Sequence, residues 1–367
     1  MSTPMIPIST AAPLKALYDV PAPAKLNLFL HVVGKRADGY HLLQSLFVLV
    51  DWTDTLHFER REDGALRRHD RGDALPADDL CLRAARALQQ ASGCAFGADI
   101  HIEKRLPSGA GMGGGSSDAA STLLALNRLW GLNWSRRRLL PIALQLGADV
   151  PFFVGGRNAF VEGIGEVLTP VAVPELRLAV VKPAVSIGTK EIFSSPLLQR
   201  SESVAIVAGF PAANGRRSED SLVTPVADFP SDEANSSGER KGNICRDHQT
   251  QEIPVQQLYE GWGRNDLQPP AEAASHEVST ALEWLQTRYE NSRMTGSGSA
   301  VFAIVRPSRI ATQTAVQNAV QEKDTVTGLE SNLKATPEGE FQELPDGWVG
   351  RMCRSLSVHP LRGWAED

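Results

Sequence analysis

Residues 107–115, PSGAGMGGG, hold five glycines in seven positions: Gly109, Gly111, Gly113, Gly114 and Gly115. A run so bare of side chains is poor helix and poor strand. It reads as a tight loop whose backbone can approach a ligand and turn its N–H groups toward it. The preceding residues, Ala98 to Arg105, alternate apolar and polar, as a half-buried strand does. The following residues predict a helix from Ser116 to about Trp130, opened by Ser116, Ser117 and Asp118 and ended by Gly131. Strand, glycine loop and helix N-terminus in that order predict a phosphate cradle, because the first amides of a helix are unpaired and its dipole favours an anion.

Three nucleotide-binding loops share parts of this pattern, and each fails here. Gly109 to Gly114 spell G-x-G-x-x-G, but the dinucleotide fold wants an acidic residue about 20 positions on, at the end of a second strand. From Ala119 to Ala148 there is no Asp or Glu, and Ser135 opens a helix reaching about Leu146, with a kink expected at Pro141. A Walker A loop needs a Lys after the last glycine, and a protein kinase needs H-R-D and D-F-G; none occurs.

The rest of the chain bounds the class. With 367 residues, 42% hydrophobic and 22% charged, it can bury a core without disulfide or metal staples. A net charge of −6 is a poor start for nucleic-acid binding. The four cysteines show no C-x-x-C spacing and the histidines no metal spacing, so reduced thiols in a cytoplasmic protein are expected. No apolar run is long enough to cross a bilayer, and Pro4, Pro7 and Pro13 break up the N-terminus as a signal peptide.

Period-two alternation predicts strands at 24–34, 42–52 and 55–61, with Lys25, Asn27, Phe29 and His31 sharing one face of the first. Asp78 or Asp79 caps an expected helix to about Ala91, with Leu80, Ala84, Ala87 and Leu88 inward. Further on come a strand from Leu176 to Lys182, a helix from Thr189 to Leu198 and a helix from Ala273 to Tyr289. A second glycine turn, Met294 to Ser299, precedes a strand from Ala300 to Val305. The composition of 211–252 is polar and reads as a disordered insertion; 321–347 is polar and has no clear element.

LPSGAGMGGGSSDAA, Leu106 to Ala120, resembles the central ATP-binding loop of the GHMP kinase superfamily. Three further segments are similar to the family within it that phosphorylates 4-diphosphocytidyl-2-C-methyl-D-erythritol. They are PAPAKLNLFLHVVGKRADGYHLLQSLF (21–47), LGADVPFFVGGRNAFVEGIGE (146–166) and MTGSGSAVFAI (294–304), with GRNDLQP around Asn265 in keeping. The resemblance implies a two-lobed α+β fold. Its domains would be an N-terminal extension over 1–20, an ATP-binding domain over 21–175, and a C-terminal domain over 176–367 that carries the insertion at about 200–255.

It also implies transfer of the ATP γ-phosphoryl to the 2-hydroxyl of the methylerythritol unit, a step in the non-mevalonate route to isopentenyl diphosphate. Asp149 would engage the hydroxyl proton, with Lys25 as its cationic partner. Pro107, Ser108, Gly109, Ala110, Gly111, Met112, Gly113, Gly114, Gly115, Ser116 and Ser117 would hold ATP. Tyr40, His41 and Phe193 would hold the cytosine, by stacking and edge hydrogen bonds. Asn27 and Thr189 would meet polar groups of the substrate, and Gly296, Ser297 and Gly298 its diphosphate or the transferred phosphoryl. Mg²⁺ is the expected companion of ATP, with Ser117 its weak candidate ligand. Two rivals stand beside this reading. A GHMP kinase of a smaller alcohol would have no base for Tyr40 and His41 to grip, and a non-catalytic nucleotide sensor would not need both Lys25 and Asp149.

Overall fold

The computed structural model describes residues 14–72, 74–200, 263–306, 341 and 344–367. The expected insertion at 211–252 lies outside the described residues, as do 321–340, 342 and 343 of the polar stretch 321–347. Two long antiparallel strands form the spine: β1 (Ala16–Lys35) and β2 (His41–Arg61), joined by a turn at Asp38-Gly39, where Gly39 takes a positive φ. The separately expected strands 42–52 and 55–61 are one strand, and the first begins at Ala16 rather than Ala24. Register shifts in the β1–β2 ladder, one of them between Pro23 and Ala24, let so long a pair bend without ending.

The other strands are β3 (Leu66–Arg71), β4 (Gly97–Glu103), β5 (Ala159–Glu162), β6 (Val167–Pro170), β7 (Arg177–Lys182), β8 (Arg293–Met294), β9 (Val301–Ile304) and β10 (Val349–Leu356). They join in the order β3-β4-β2-β10-β7-β9-β8, with β1 and β5 also on β2 and β6 on β5. Only the β3–β4 pair is parallel. The strand β10 went unread in the sequence, yet it pairs with both β2 and β7 and so joins the two halves of the sheet.

The helices are α1 (Leu80–Ser92), α2 (Gly114–Leu129), α3 (Arg136–Leu146), α4 (Val150–Gly155), α5 (Thr189–Ser194), α6 (Gln268–Ala274) and α7 (His276–Tyr289). One apolar cluster packs α1 to α4 on β1, β2 and β4; another packs α6 and α7 on β7 and β9; a third lies between them. The α+β expectation holds.

The start of α1 is as read: Asp79 accepts a hydrogen bond from the Leu82 amide at 3.1 Å. Three boundaries differ. The helix α2 begins at Gly114, capped by Gly113 with a φ of 72° and no side-chain cap, so Ser117 and Asp118 lie inside it and are buried. The helix after Thr189 stops at Ser194, because Ser195 precedes Pro196 and is extended. The expected helix 273–289 is two helices, broken at Ser275, whose extended backbone and side chain start α7. The helix α3 has its expected bounds, with Ser135 at its start, Leu146 at its end and Pro141 inside it.

Candidate active site

Both faces of β1 are buried from Ala22 to Val32. Its alternation therefore separates apolar core from buried polar groups, not core from solvent. Lys25 is 4% exposed. Its ammonium donates to Asn27 Oδ1 at 2.6 Å, lies 4.5 Å from the centre of the Phe47 ring, and is 3.6 Å from Asp149 Oδ2. Burying a lysine costs heavily unless it is paired, and here a carboxylate, an amide and an aromatic face share that task.

Asp149 stands at the N-terminus of α4, where a capping role would be the ordinary one. Its side chain makes no cap hydrogen bond and is 31% exposed. It is thus held beside Lys25 and open to a ligand.

The glycine loop packs against this pair. The Lys25 amide donates to the Met112 carbonyl at 3.0 Å, and a Cβ at Gly113 would lie 3.3 Å from Lys25 Cε and 3.1 Å from the Phe153 ring. Residues Pro107 to Gly115 line a cavity of about 290 Å³. Ser116 and Ser117 are not among its lining. Because α2 starts two residues earlier than expected, the amides of its first turn come from Gly114 and Gly115. Ser117 Oγ is buried and donates to the Pro23 carbonyl at 2.7 Å. Among the described residues there is no group of three His, Cys, Asp or Glu side chains placed to hold a metal ion.

Two functional candidates in this cavity wall, Lys104 and Asp118, were missed, together with Asp54 buried behind them. Lys104 follows β4, and its ammonium meets both Asp118 Oδ2, at 2.5 Å, and Asp54 Oδ2. Asp54 Oδ1 also accepts from the Arg105 and Leu106 amides, which lead into the glycine loop. Burial pushes the Asp118 carboxyl up to about 8, against the pull of Lys104 and with a push from Asp54. Burial works against charge on Lys104, but Asp118 and Asp54 outweigh it and raise its pKa. No sequence spacing joins positions 54, 104 and 118; the only signal was a Lys between a strand and a Pro-Ser-Gly loop.

The second glycine turn touches the first. The Ser299 and Ala300 amides donate to the Gly109 and Ala110 carbonyls, at 3.1 and 3.2 Å. A Cβ at Gly296 would lie 2.7 Å from the Gly111 carbonyl oxygen. Thr189 and Ser297 share a hydroxyl hydrogen bond of 2.8 Å. Asn27, expected on the substrate, is buried with both ends of its amide used: Oδ1 accepts from Lys25 and Nδ2 donates to Ser45 Oγ at 2.8 Å. In this structure it orients Lys25.

The structure brings two of the three aromatic candidates into contact. His41 stacks on Phe193, with centroids 5.1 Å apart and planes 22° from parallel. Tyr40 is 60% exposed beside them. Burial, then Lys35 and Arg200, lower the His41 pKa and favour its neutral ring. No helix among the described residues is long and apolar enough to cross a membrane.

Comparison with known proteins agrees with this geometry. The GHMP kinases N terminal domain family matches residues 79–157, and the GHMP kinases C terminal family matches 246–323. A 4-diphosphocytidyl-2-C-methyl-D-erythritol kinase of Methylibium petroleiphilum is 53% identical, covering 96% of this chain and 99% of its own. That of Verminephrobacter eiseniae is 50% identical over 96% and 99%. Among solved structures, a 4-(cytidine 5'-diphospho)-2C-methyl-D-erythritol kinase matches at 27% identity and a TM-score of 0.59, over 91% of this chain and 98% of that one. A homoserine kinase from Cytophaga hutchinsonii, 17% identical, shares the fold at a TM-score of 0.55 over 87% and 93%.

Proposed function

We propose a site chemistry for a chain that belongs to the 4-diphosphocytidyl-2-C-methyl-D-erythritol kinase family of GHMP kinases. It is an ATP-using phosphotransferase with an alcohol acceptor, in the methylerythritol phosphate route. Its acceptor is the 2-hydroxyl of 4-(cytidine 5'-diphospho)-2-C-methyl-D-erythritol. ATP lies in the cavity along Pro107 to Gly115, where bare amides face its phosphates. Phosphoryl transfer then needs positioning and charge neutralisation more than covalent chemistry.

The acceptor is a tertiary alcohol, a poor nucleophile until its proton is engaged. The Asp149 carboxylate takes that proton as the oxygen attacks the γ-phosphorus and the β–γ bridging bond breaks. The Lys25 ammonium, 3.6 Å from Asp149 Oδ2, holds that carboxylate in place and steadies the acceptor oxygen. The Lys25–Asp149 pair, 3.6 Å apart and packed against the glycine loop, carries this reading. Cytosine lies against Phe193, with His41 offering its edge and Tyr40 closing from the exposed side. Mg²⁺ bound with ATP would neutralise phosphate charge; no side chain among the described residues is assigned to it. Both substrates are charged and water-soluble, which suits a cytoplasmic setting.

ADP release tests the assignment. Turnover is expected with the cytidine substrate and little with mevalonate, homoserine or galactose. Faster turnover of mevalonate would overturn it.

A further inference from the structure

GRNDLQP, residues 263–269, matches no step of the reaction above, yet it lies directly beneath the second glycine turn. Asn265 is 3% exposed. Its Nδ2 donates to two carbonyls of that turn, Met294 and Gly296, each at 2.8 Å, and its Oδ1 accepts from the Leu267 amide at 2.9 Å. Both amide hydrogens are committed, and neither bond is to a helix or a long ladder. The flanking backbone is tied to β1: the Leu30 amide donates to the Arg264 carbonyl and the Asp266 amide to the Leu30 carbonyl, at 2.9 and 2.8 Å. Asp266 Oδ2 adds a bond from the Val32 amide at 2.9 Å.

The turn is fixed from other sides as well. Thr295 Oγ1 accepts from the Asn27 amide at 2.8 Å, on the strand that carries Lys25. Gly296 has a φ of 57° and lies against Gly111. The amides of Gly296 and Ser297 pair with no backbone carbonyl among the described residues. The turn thus presents two unpaired N–H groups beside the Thr189 and Ser297 hydroxyls, which is the donor set an anionic oxygen would meet.

We propose that Asn265 is a positioning residue for the acceptor: it fixes the Gly296–Gly298 turn against β1, so that the turn's amides receive the acceptor's diphosphate in register with Lys25 and Asp149. This rests on the reading that the second glycine turn faces the acceptor. The chemistry selects asparagine. Aspartate would set carboxylate oxygens against two carbonyl oxygens, and alanine would leave both carbonyls unpaired. The ATP cavity does not include Asn265 and meets the second turn only through Gly109 to Gly111, so the larger effect should fall on the acceptor.

The test uses the full chain and its Asn265→Asp variant. CDP binding by calorimetry reads the diphosphate site without turnover, a non-hydrolysable ATP analogue reads the nucleotide site, and steady-state kinetics reads KM and kcat for the cytidine substrate. In the variant, the CDP Kd and acceptor KM should rise at least about tenfold, with a clearly smaller change in ATP-analogue Kd. Unchanged CDP affinity in a folded variant overturns the proposal, as does an equal loss at both sites. If Asn265→Asp does not fold, Asn265→Ala carries the same comparison; failure of both to fold assigns Asn265 to stability and also overturns it. Wild-type protein that binds CDP but does not phosphorylate the acceptor would instead count against the reaction assigned above, and the binding comparison would still judge Asn265.

Discussion

Gly111 and Gly115 belong to the same loop and should respond oppositely to alanine. A Cβ at Gly111 would stand 2.5 Å from the Thr295 carbonyl oxygen and 3.0 Å from the Gly298 nitrogen, both backbone atoms that no rotamer change can move. It is about 0.9 Å short of ordinary contact at 3.4 Å, so the two glycine turns must part by nearly that distance. The φ of 72° adds about 1–2 kcal/mol of left-handed strain for a residue with a Cβ. Overpacking adds about 1–3 kcal/mol. The sum, roughly 2–5 kcal/mol, lowers the melting temperature by about 4–10 °C at about 2 °C per kcal/mol for a chain of this size. A displacement near 1 Å at a positioned site also costs on the order of 100-fold in rate.

A Cβ at Gly115, inside α2, would meet only Leu80 Cδ1, at 3.6 Å. There alanine removes glycine's excess chain entropy, so Gly115→Ala should melt at or slightly above wild type, by no more than about 1 kcal/mol. Thermal melting without nucleotide, beside ADP release, compares the two. Equal destabilisation, or a Gly111→Ala protein that melts and turns over like wild type, would refute the claim that contact between the turns sets the loop's geometry.

Asp149→Asn should lower kcat at least about 100-fold with little change in ATP-analogue affinity, because the loop at 107–115 is untouched; a variant that keeps most of its activity returns Asp149 to a turn residue. Lys25→Met should also lower kcat about 100-fold or more, the scale for a lost electrostatic donor, and single-turnover kinetics would separate that loss from weaker binding. Asp118 tests the buried cluster. Its folded pKa, about 8, lies above the ordinary value of 3.8, so the folded state binds more protons between those values and its stability falls as pH rises from about 4 to about 8. Asp118→Asn, isosteric with the protonated acid, should flatten that slope; urea titrations at pH 5, 6, 7 and 8 that show the same slope in both proteins would remove Asp118 as its source.

The local features were legible in the sequence because local chemistry decides them. The glycine loop shows in composition alone, and an aspartate opens α1 whatever packs on it; Pro196 carried the same kind of signal, but the helix was read past it to Leu198 and stops at Ser194. The misplaced start of α2 has a local cause too: Gly113 caps through a left-handed backbone, so the Ser-Ser-Asp that resembles a capping box falls within the first turns. The alternation of β1 was read correctly as period two, but period two says only that the faces differ. It could not say that Lys25 and Asn27 face a buried site, since that depends on α4 and the glycine loop closing over them.

What stayed hidden were the contacts between distant positions. The strand β10 became part of the sheet only by pairing with β2 and β7, partners that lie roughly 170–300 residues before it. Asp54 and Asp118 converge on Lys104 from β2 and α2, and in sequence each looks like an ordinary surface carboxylate. Two buried carboxylates sharing one ammonium form a costly arrangement. Here it sits where β2, the entry to the glycine loop and the first turns of α2 must be held at fixed spacing, because Asp54 also receives the Arg105 and Leu106 amides. An apolar replacement could fill the same volume, but it would leave those two amides without an acceptor, and the loop that carries the phosphates would lose its anchor. The cluster is therefore explained by the loop it orients, not by the core it occupies.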